Sequence, residues 1–119
     1  ITGQGNPHPR FYGTFPRVLG QYCRDQGLLP LHQALWKMTG APAKALGLRN
    51  RGLLRKGFAA DIVMFDPVTV AECASYEDPH QFATGITQVI VNGETIFRDG
   101  EHAGILSGQT LRRQNDFVL

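Results

Sequence analysis

Arg49-Asn50-Arg51-Gly52-Leu53-Leu54-Arg55-Lys56-Gly57-Phe58-Ala59-Ala60-Asp61-Ile62-Val63-Met64-Phe65-Asp66 divides this chain into a helical first half and a strand-rich second half. Gly52 and Gly57 suit backbone with positive φ, which a residue carrying Cβ adopts only at a cost. Asp61 offers a short carboxylate to backbone N–H groups at the turn. The compact strand from Asp61 to Phe65 closes at Asp66-Pro67, because proline cannot donate to a ladder. The stretch is a loop-to-strand joint and by itself carries no activity.

Towards the N-terminus, residues 1–15 read as a Gly/Pro-rich loop holding His8-Pro9-Arg10-Phe11-Tyr12-Gly13-Thr14-Phe15. From Pro16 to Gln26, Val18, Leu19, Tyr22 and Cys23 fall on one helical face, with Thr14 as N-cap, Pro16 in the first turn and Gly27 as the stop. A second helix is expected from about Pro30 to Thr39, with Leu31, Leu35 and Met38 in a stripe that Ala34 widens. A short third helix follows over Ala41–Leu46, with Pro42 in its first turn and Gly47 as the left-handed stop.

Beyond the joint, residues 67–85 form a loop-rich connection containing Tyr76-Glu77-Asp78-Pro79-His80. Thr87–Val91 and Glu94–Arg98 are β-rich runs around Asn92-Gly93, the signature of a hairpin with a type I′ turn. Asp99-Gly100 ends the hairpin, and Glu101–Leu119, with Arg112 and Arg113, reads as a polar tail whose last residues fray. Two or three strands make a thin sheet with little to close both its faces. Together with a start at Ile1 in mid-loop, this suggests a piece of something longer.

Bulk properties narrow the function. The 119 residues suffice for one domain, and 42% apolar with 18% charged residues is ordinary for a globular protein. A net charge of +2 is too small to argue for nucleic acid, and the cluster Lys44, Arg49, Arg51, Arg55 and Lys56 lacks interleaved aromatics or a base-reading motif, so it reads as a solvated basic face and no nucleic-acid partner is expected. No run approaches the roughly 20 apolar residues of a membrane span. Cys23 and Cys73 stand fifty residues apart without a CxxC, so both thiols are expected to pack as small hydrophobes in a reducing, cytoplasmic setting.

Chemistry-bearing motifs are sparse. His8, His32, His80 and His102 show no metal-ligand spacing, and His32 is expected at the surface. Ser75 and Ser107 lack a nucleophile-elbow context, and Asp61, Asp66, Glu77, Asp78 and Asp99 fall where turns want acids. Arg10, set between Pro9 and Phe11, stands apart. A rigid loop can aim its planar fork at a carboxylate through two parallel hydrogen bonds; an Arg stacked on Phe11 or Tyr12, or paired with a local acid, explains the residue equally well.

His8-Pro9-Arg10-Phe11-Tyr12-Gly13-Thr14-Phe15-Pro16-Arg17-Val18-Leu19 resembles the last active-site loop and following helix of the N-acyl-D-amino-acid deacylases (D-aminoacylases), in the amidohydrolase superfamily. Leu46-Gly47-Leu48, Arg51-Gly52, Gly57, Ala60-Asp61-Ile62-Val63, Glu77-Asp78-Pro79, Val91-Asn92-Gly93 and Asp99-Gly100-Glu101-His102 continue the resemblance in order. It implies an α+β fragment: residues 1–48 supply the C-terminal active-site loop and helices of a metal-dependent (β/α) barrel hydrolase, and 49–119 the last strands, including the hairpin, of its small composite β-domain. It also implies that the whole enzyme uses zinc to cleave the amide of N-acyl-D-amino acids. The family's Ser-Asp-Gly motif and metal ligands do not occur here, so no catalytic or metal residue is assigned, and the chain alone is expected to be inactive and to bind no zinc. Arg10 matches the family arginine expected to hold the substrate's α-carboxylate. The rival reading is a stand-alone, non-catalytic module that self-associates through exposed strand edges such as Thr87–Val91.

Overall fold

The computed structural model describes residues 5–111. Helix α1 spans Arg10–Arg17 and runs directly into a π-helical segment, Val18–Asp25. Helices α2 (Leu31–Met38) and α3 (Gly40–Leu46) follow, then strands β1 (Ile62–Phe65), β2 (Ile86–Val91), β3 (Glu94–Arg98) and β4 (Glu101–His102). The chain is therefore α+β. Among the described residues no helix is long and apolar enough to cross a membrane.

The first helix departs from expectation at both ends. It begins at Arg10, in what reads as a loop, and Thr14 is not its cap, since its hydroxyl donates back to the Arg10 carbonyl (2.7 Å). Pro9, not Pro16, is the proline at the helix entry, and its carbonyl accepts from Tyr12 N–H (3.0 Å) and Gly13 N–H (3.2 Å). Pro16 lies inside the helix, where it has no N–H for the carbonyl one turn back and crowds it. The backbone widens into π-helix immediately afterwards and closes with Gln26 N–H on the Gln21 carbonyl (3.0 Å). Gly27 then stops it at φ +61°.

The third helix matches its sequence. Gly47 adopts φ 71°, ψ 27°, with Leu48 N–H reaching the Ala43 carbonyl at 2.9 Å, a left-handed stop. In α2 only Ala34 is fully buried; Leu35 and Met38 are half-buried and Leu31 is exposed.

The sheet order is β1-β2-β3-β4. Asn92 (φ 50°) and Gly93 (φ 85°) both take the positive φ of a type I′ turn, with Val91 opposite Glu94. Ile96 is an extra residue in β3, because Ile90 pairs with Thr95 while Val89 pairs with Phe97. A second hairpin follows: Asp99 (φ 50°) and Gly100 (φ 92°) turn Arg98 back onto Glu101. That fourth strand lies where a polar tail is expected, and it covers the free side of β3. Thr87–Val91 is not an edge, because β2 lies between β1 and β3; β1 and β4 are the outer strands. The part of the expected tail holding Arg112 and Arg113 lies outside the described residues.

The chain forms two compact units that interleave along the sequence, Ile1–Ala34 with Phe65–Ile86 and Leu35–Met64 with Thr87–Leu119. In the first, Gly20 lets the π segment approach the backbone at Val70, which is fully buried; a Cβ there would sit 2.5 Å from the Val70 carbonyl oxygen. Arg24 Nη1 donates to the same carbonyl at 2.6 Å. Asp66 builds the turn beneath, accepting from Val68 N–H (2.8 Å) and the Thr69 hydroxyl (3.0 Å). These bonds hold its carboxyl below the usual aspartate value.

In the second unit the opening stretch becomes a polar knot. Arg51 pairs with Asp61 and donates from Nη2 to Asn92 Oδ1 at 2.5 Å, while Asp61 Oδ1 accepts Asn92 N–H at 2.9 Å. Asn92 Nδ2 continues to the Ser107 carbonyl (2.7 Å), and Ser107 Oγ to the Val91 carbonyl (2.9 Å). Arg51, with a side chain only 13% exposed, is thus no part of a solvated basic face. Gly52 and Gly57 do adopt positive φ, +82° and +85°. Cys23 is half-buried as expected, but Cys73 is exposed and does not pack as a core hydrophobe.

Candidate functional site

The first turn of α1 presents Arg10. Its own backbone N–H donates to His8 Nδ1 at 3.0 Å, so the histidine two residues earlier caps an otherwise orphan donor. The guanidinium carbon lies 5.9 Å from the Phe11 ring centroid, so stacking on Phe11 is realised. Among the described residues no carboxylate pairs with Arg10. Its fork remains available beside an open groove of about 380 Å³ lined by Arg10, Phe11, Tyr12, Thr14, Phe15 and Pro16. One cation among aromatic and aliphatic walls suits an anionic group attached to an apolar body.

Two histidine–tyrosine pairs flank this turn within the same compact unit. His8 Nε2 meets Tyr76 Oη at 2.9 Å, with the rings edge-to-face at 5.1 Å. Tyr12 Oη meets His80 Nδ1 at 2.9 Å, with rings 5.6 Å apart, and Phe82 packs edge-on against Tyr12 at 5.5 Å. His80 Nε2 bonds the Gly5 carbonyl at 2.9 Å. Hydrogen-bond logic limits where the ring protons sit. The Gly5 carbonyl only accepts, so His80 carries a proton on Nε2, and its Nδ1 shares a hydrogen bond with the Tyr12 hydroxyl. The Arg10 amide only donates, so His8 Nδ1 is bare and Nε2–H faces Tyr76.

Neither histidine then has a free nitrogen for a metal. Among the described residues no group of three or more His, Cys, Asp or Glu could hold a metal ion. The donors present do not fit a zinc centre. His32 is exposed, and His102 takes Gly104 N–H at Nδ1 (2.9 Å), a turn role. A larger cavity of about 490 Å³ opens around Arg17, Gln21, Arg24 and Glu72, but its cations are already neutralised, Arg17 by Glu72 and Arg24 by Asp25 (2.7 Å). Among the described residues of this unit, Arg10 is the arginine with no carboxylate partner. Sequence reading singled out Arg10 and missed what surrounds it, because the partners His8/Tyr76 and Tyr12/His80 are each 68 residues apart.

Comparison with known proteins bears on this geometry. Over 108 residues, 87% of this chain, it is 52% identical to a D-aminoacylase of Alcaligenes xylosoxydans xylosoxydans. The backbone superimposes on a D-aminoacylase crystal structure with a TM-score of 0.89 at 51% identity, covering 91% of this chain and 23% of that one. It also matches an N-acyl-D-glutamate deacylase of Bordetella bronchiseptica, solved with zinc and a phosphonate mimic of the tetrahedral intermediate, with a TM-score of 0.78, 45% identity and coverage of 81% and 20%. The chain spans about a fifth of the length of the curated relatives it matches (22% of the first). Residues 2–97 match the family described as the amidohydrolase family, so most of the chain falls within that match, and the chain belongs to the amidohydrolase family.

Proposed function

We propose that this chain is the C-terminal portion of a zinc-dependent hydrolase that cleaves the amide bond of N-acyl-D-amino acids, and that Arg10 binds the substrate's α-carboxylate. The observation that carries this is a guanidinium at the first turn of α1 with no carboxylate of the described chain paired to it, beside an apolar groove. Relatives about half identical and named for N-acyl-D-amino-acid deacylation support the substrate class. In this reading residues 1–48 serve the barrel side and 49–119 the small β-domain, although 65–86 pack in one compact unit with 1–34; among the described residues the helices precede residue 48 and the strands follow residue 49. Metal ligands and the proton-shuttling carboxylate come from elsewhere in the polypeptide. Arg10 contributes binding and orientation: two parallel charge-assisted hydrogen bonds hold the carboxylate in one plane and fix which face of the amide is presented.

The test uses the hydrolase that carries this chain. Arg10→Ala is expected to lower kcat/KM for an N-acyl-D-amino acid by the loss of charge-assisted bonds, about 1.5–3 kcal/mol or roughly ten- to a hundredfold. Turnover of the carboxamide analogue, which lacks the anion, stays close to wild type. An unchanged kcat/KM for the acid removes Arg10 from the site.

A second reading, self-association through a strand edge, has one observation in its favour. Outer strand β1 leaves Val63 52% and Met64 50% exposed, and these neighbours lie on opposite faces of the strand. A strictly monomeric species in sedimentation velocity would rule it out.

A further inference from the structure

We propose that Tyr76 and Tyr12, through His8 and His80, are positioning residues that set the direction of the Arg10 fork. This rests on the reading of Arg10 as the carboxylate-binding group and deepens it.

Arg10 is midway between two anchored residues. His8, two before it, is tied to Tyr76; Tyr12, two after it, is tied to His80. The anchors share one spacing, four residues in the helix turn and four in the connection, so the two strips lie alongside each other and meet twice. Both links are directional. One runs from the Arg10 N–H into His8 Nδ1 and out through Nε2–H to the Tyr76 hydroxyl. The other joins the Tyr12 hydroxyl to His80 Nδ1 and runs out through Nε2–H to the Gly5 carbonyl. Rotation of the first turn about the helix axis would break both. Beneath them Gly13 is buried against Glu72, where a Cβ would clash with that side chain, and Glu72 is itself held by Arg17. The backbone carrying Arg10 is therefore fixed on three sides, while its guanidinium lies over Phe11 with no carboxylate of the described residues paired to it. A long side chain in the open needs such a base, because a bidentate bond to a carboxylate tolerates little angular error.

The experiment compares the hydrolase carrying this chain with its Tyr12→Phe/Tyr76→Phe variant, which keeps both rings and deletes both hydroxyl bonds. The readout is the ratio of kcat/KM for an N-acyl-D-amino acid to that for its carboxamide. Both substrates are turned over by the same folded molecules, so the ratio is indifferent to any loss of folded enzyme. The expected result is a five- to tenfold fall in the ratio, carried by KM for the acid, and no further fall when the same changes are made in Arg10→Ala. If Arg10→Ala collapses the ratio and the double tyrosine variant leaves it intact, the positioning role is overturned and the carboxylate reading stands. If Arg10→Ala itself leaves the ratio intact, the carboxylate reading fails, and the clamp fails with it.

Discussion

Replacing Asp61 by alanine is expected to loosen the Asn92-Gly93 hairpin without touching the proposed binding turn. The carboxylate accepts Asn92 N–H at 2.9 Å and pairs with Arg51, whose side chain is only 13% exposed. Its loss leaves a largely buried guanidinium bonded to Asn92 Oδ1 but without its carboxylate, and orphans a backbone donor at a positive-φ residue. Breaking bonds to a charged partner costs about 1.5–3 kcal/mol; Asp61 is itself 34% exposed, so water recovers part of this and about 2 kcal/mol remains. At 1.4 kcal/mol per tenfold, amide hydrogens of Asn92 and Gly93 should exchange about 30-fold faster, read by hydrogen exchange resolved to single residues. The partner experiment is Asp61→Ala with Arg51→Met, which removes the stranded charge and should recover part of the protection. Unchanged exchange at Asn92 and Gly93 in the single variant would refute the claim that the knot holds the hairpin.

The same knot sets a pH dependence. Burial pushes the Asp61 carboxyl up, but the Asn92 N–H, the Arg51 hydrogen bond and the Arg51 charge together hold it below the ordinary 3.8. A carboxylate depressed in the folded state stabilises fully above its unfolded value, so protection of Asn92 should persist above about pH 4 and fall as pH drops through the folded value; Asp61→Asn should flatten that dependence. Asp66, lowered chiefly by the Val68 N–H and the Thr69 hydroxyl, should add to the acid sensitivity in the same direction, visible as loss of Val70 amide protection. Gly20→Ala places a methyl 2.5 Å from the Val70 carbonyl oxygen, an overpacking expected to cost about 1–3 kcal/mol in thermal or denaturant unfolding, whereas Gly57→Ala meets no atom and pays only for its positive φ.

Local chemistry was readable wherever neighbours in sequence decide the outcome. Asn92-Gly93 specifies its turn because two adjacent residues must both take positive φ, and Gly47 ends α3 for the same reason. Asp99-Gly100 carries the same signal, yet β4 went unseen because a two-residue strand is too short to display alternation. Pro16 suits a first helical turn by its local chemistry, and only the structure shows that the helix begins after Pro9, with Arg10 N–H capped by His8, and widens into a π segment after Pro16.

By itself the sequence determined the order of the helices and the first three strands, the positions of the glycine stops, the family, and the choice of Arg10 as the residue to watch. The tertiary structure alone decided which charges are consumed and which stay available. Arg51 belongs to Asp61 and Asn92, Arg24 to Asp25 and the Val70 carbonyl, Arg17 to Glu72, while Arg10 keeps its fork. The reason is distance along the chain. A turn is settled by residues one or two apart, but a charge is neutralised by whatever folding carries to within about 4 Å of it, here from as far as 55 residues away between Arg17 and Glu72.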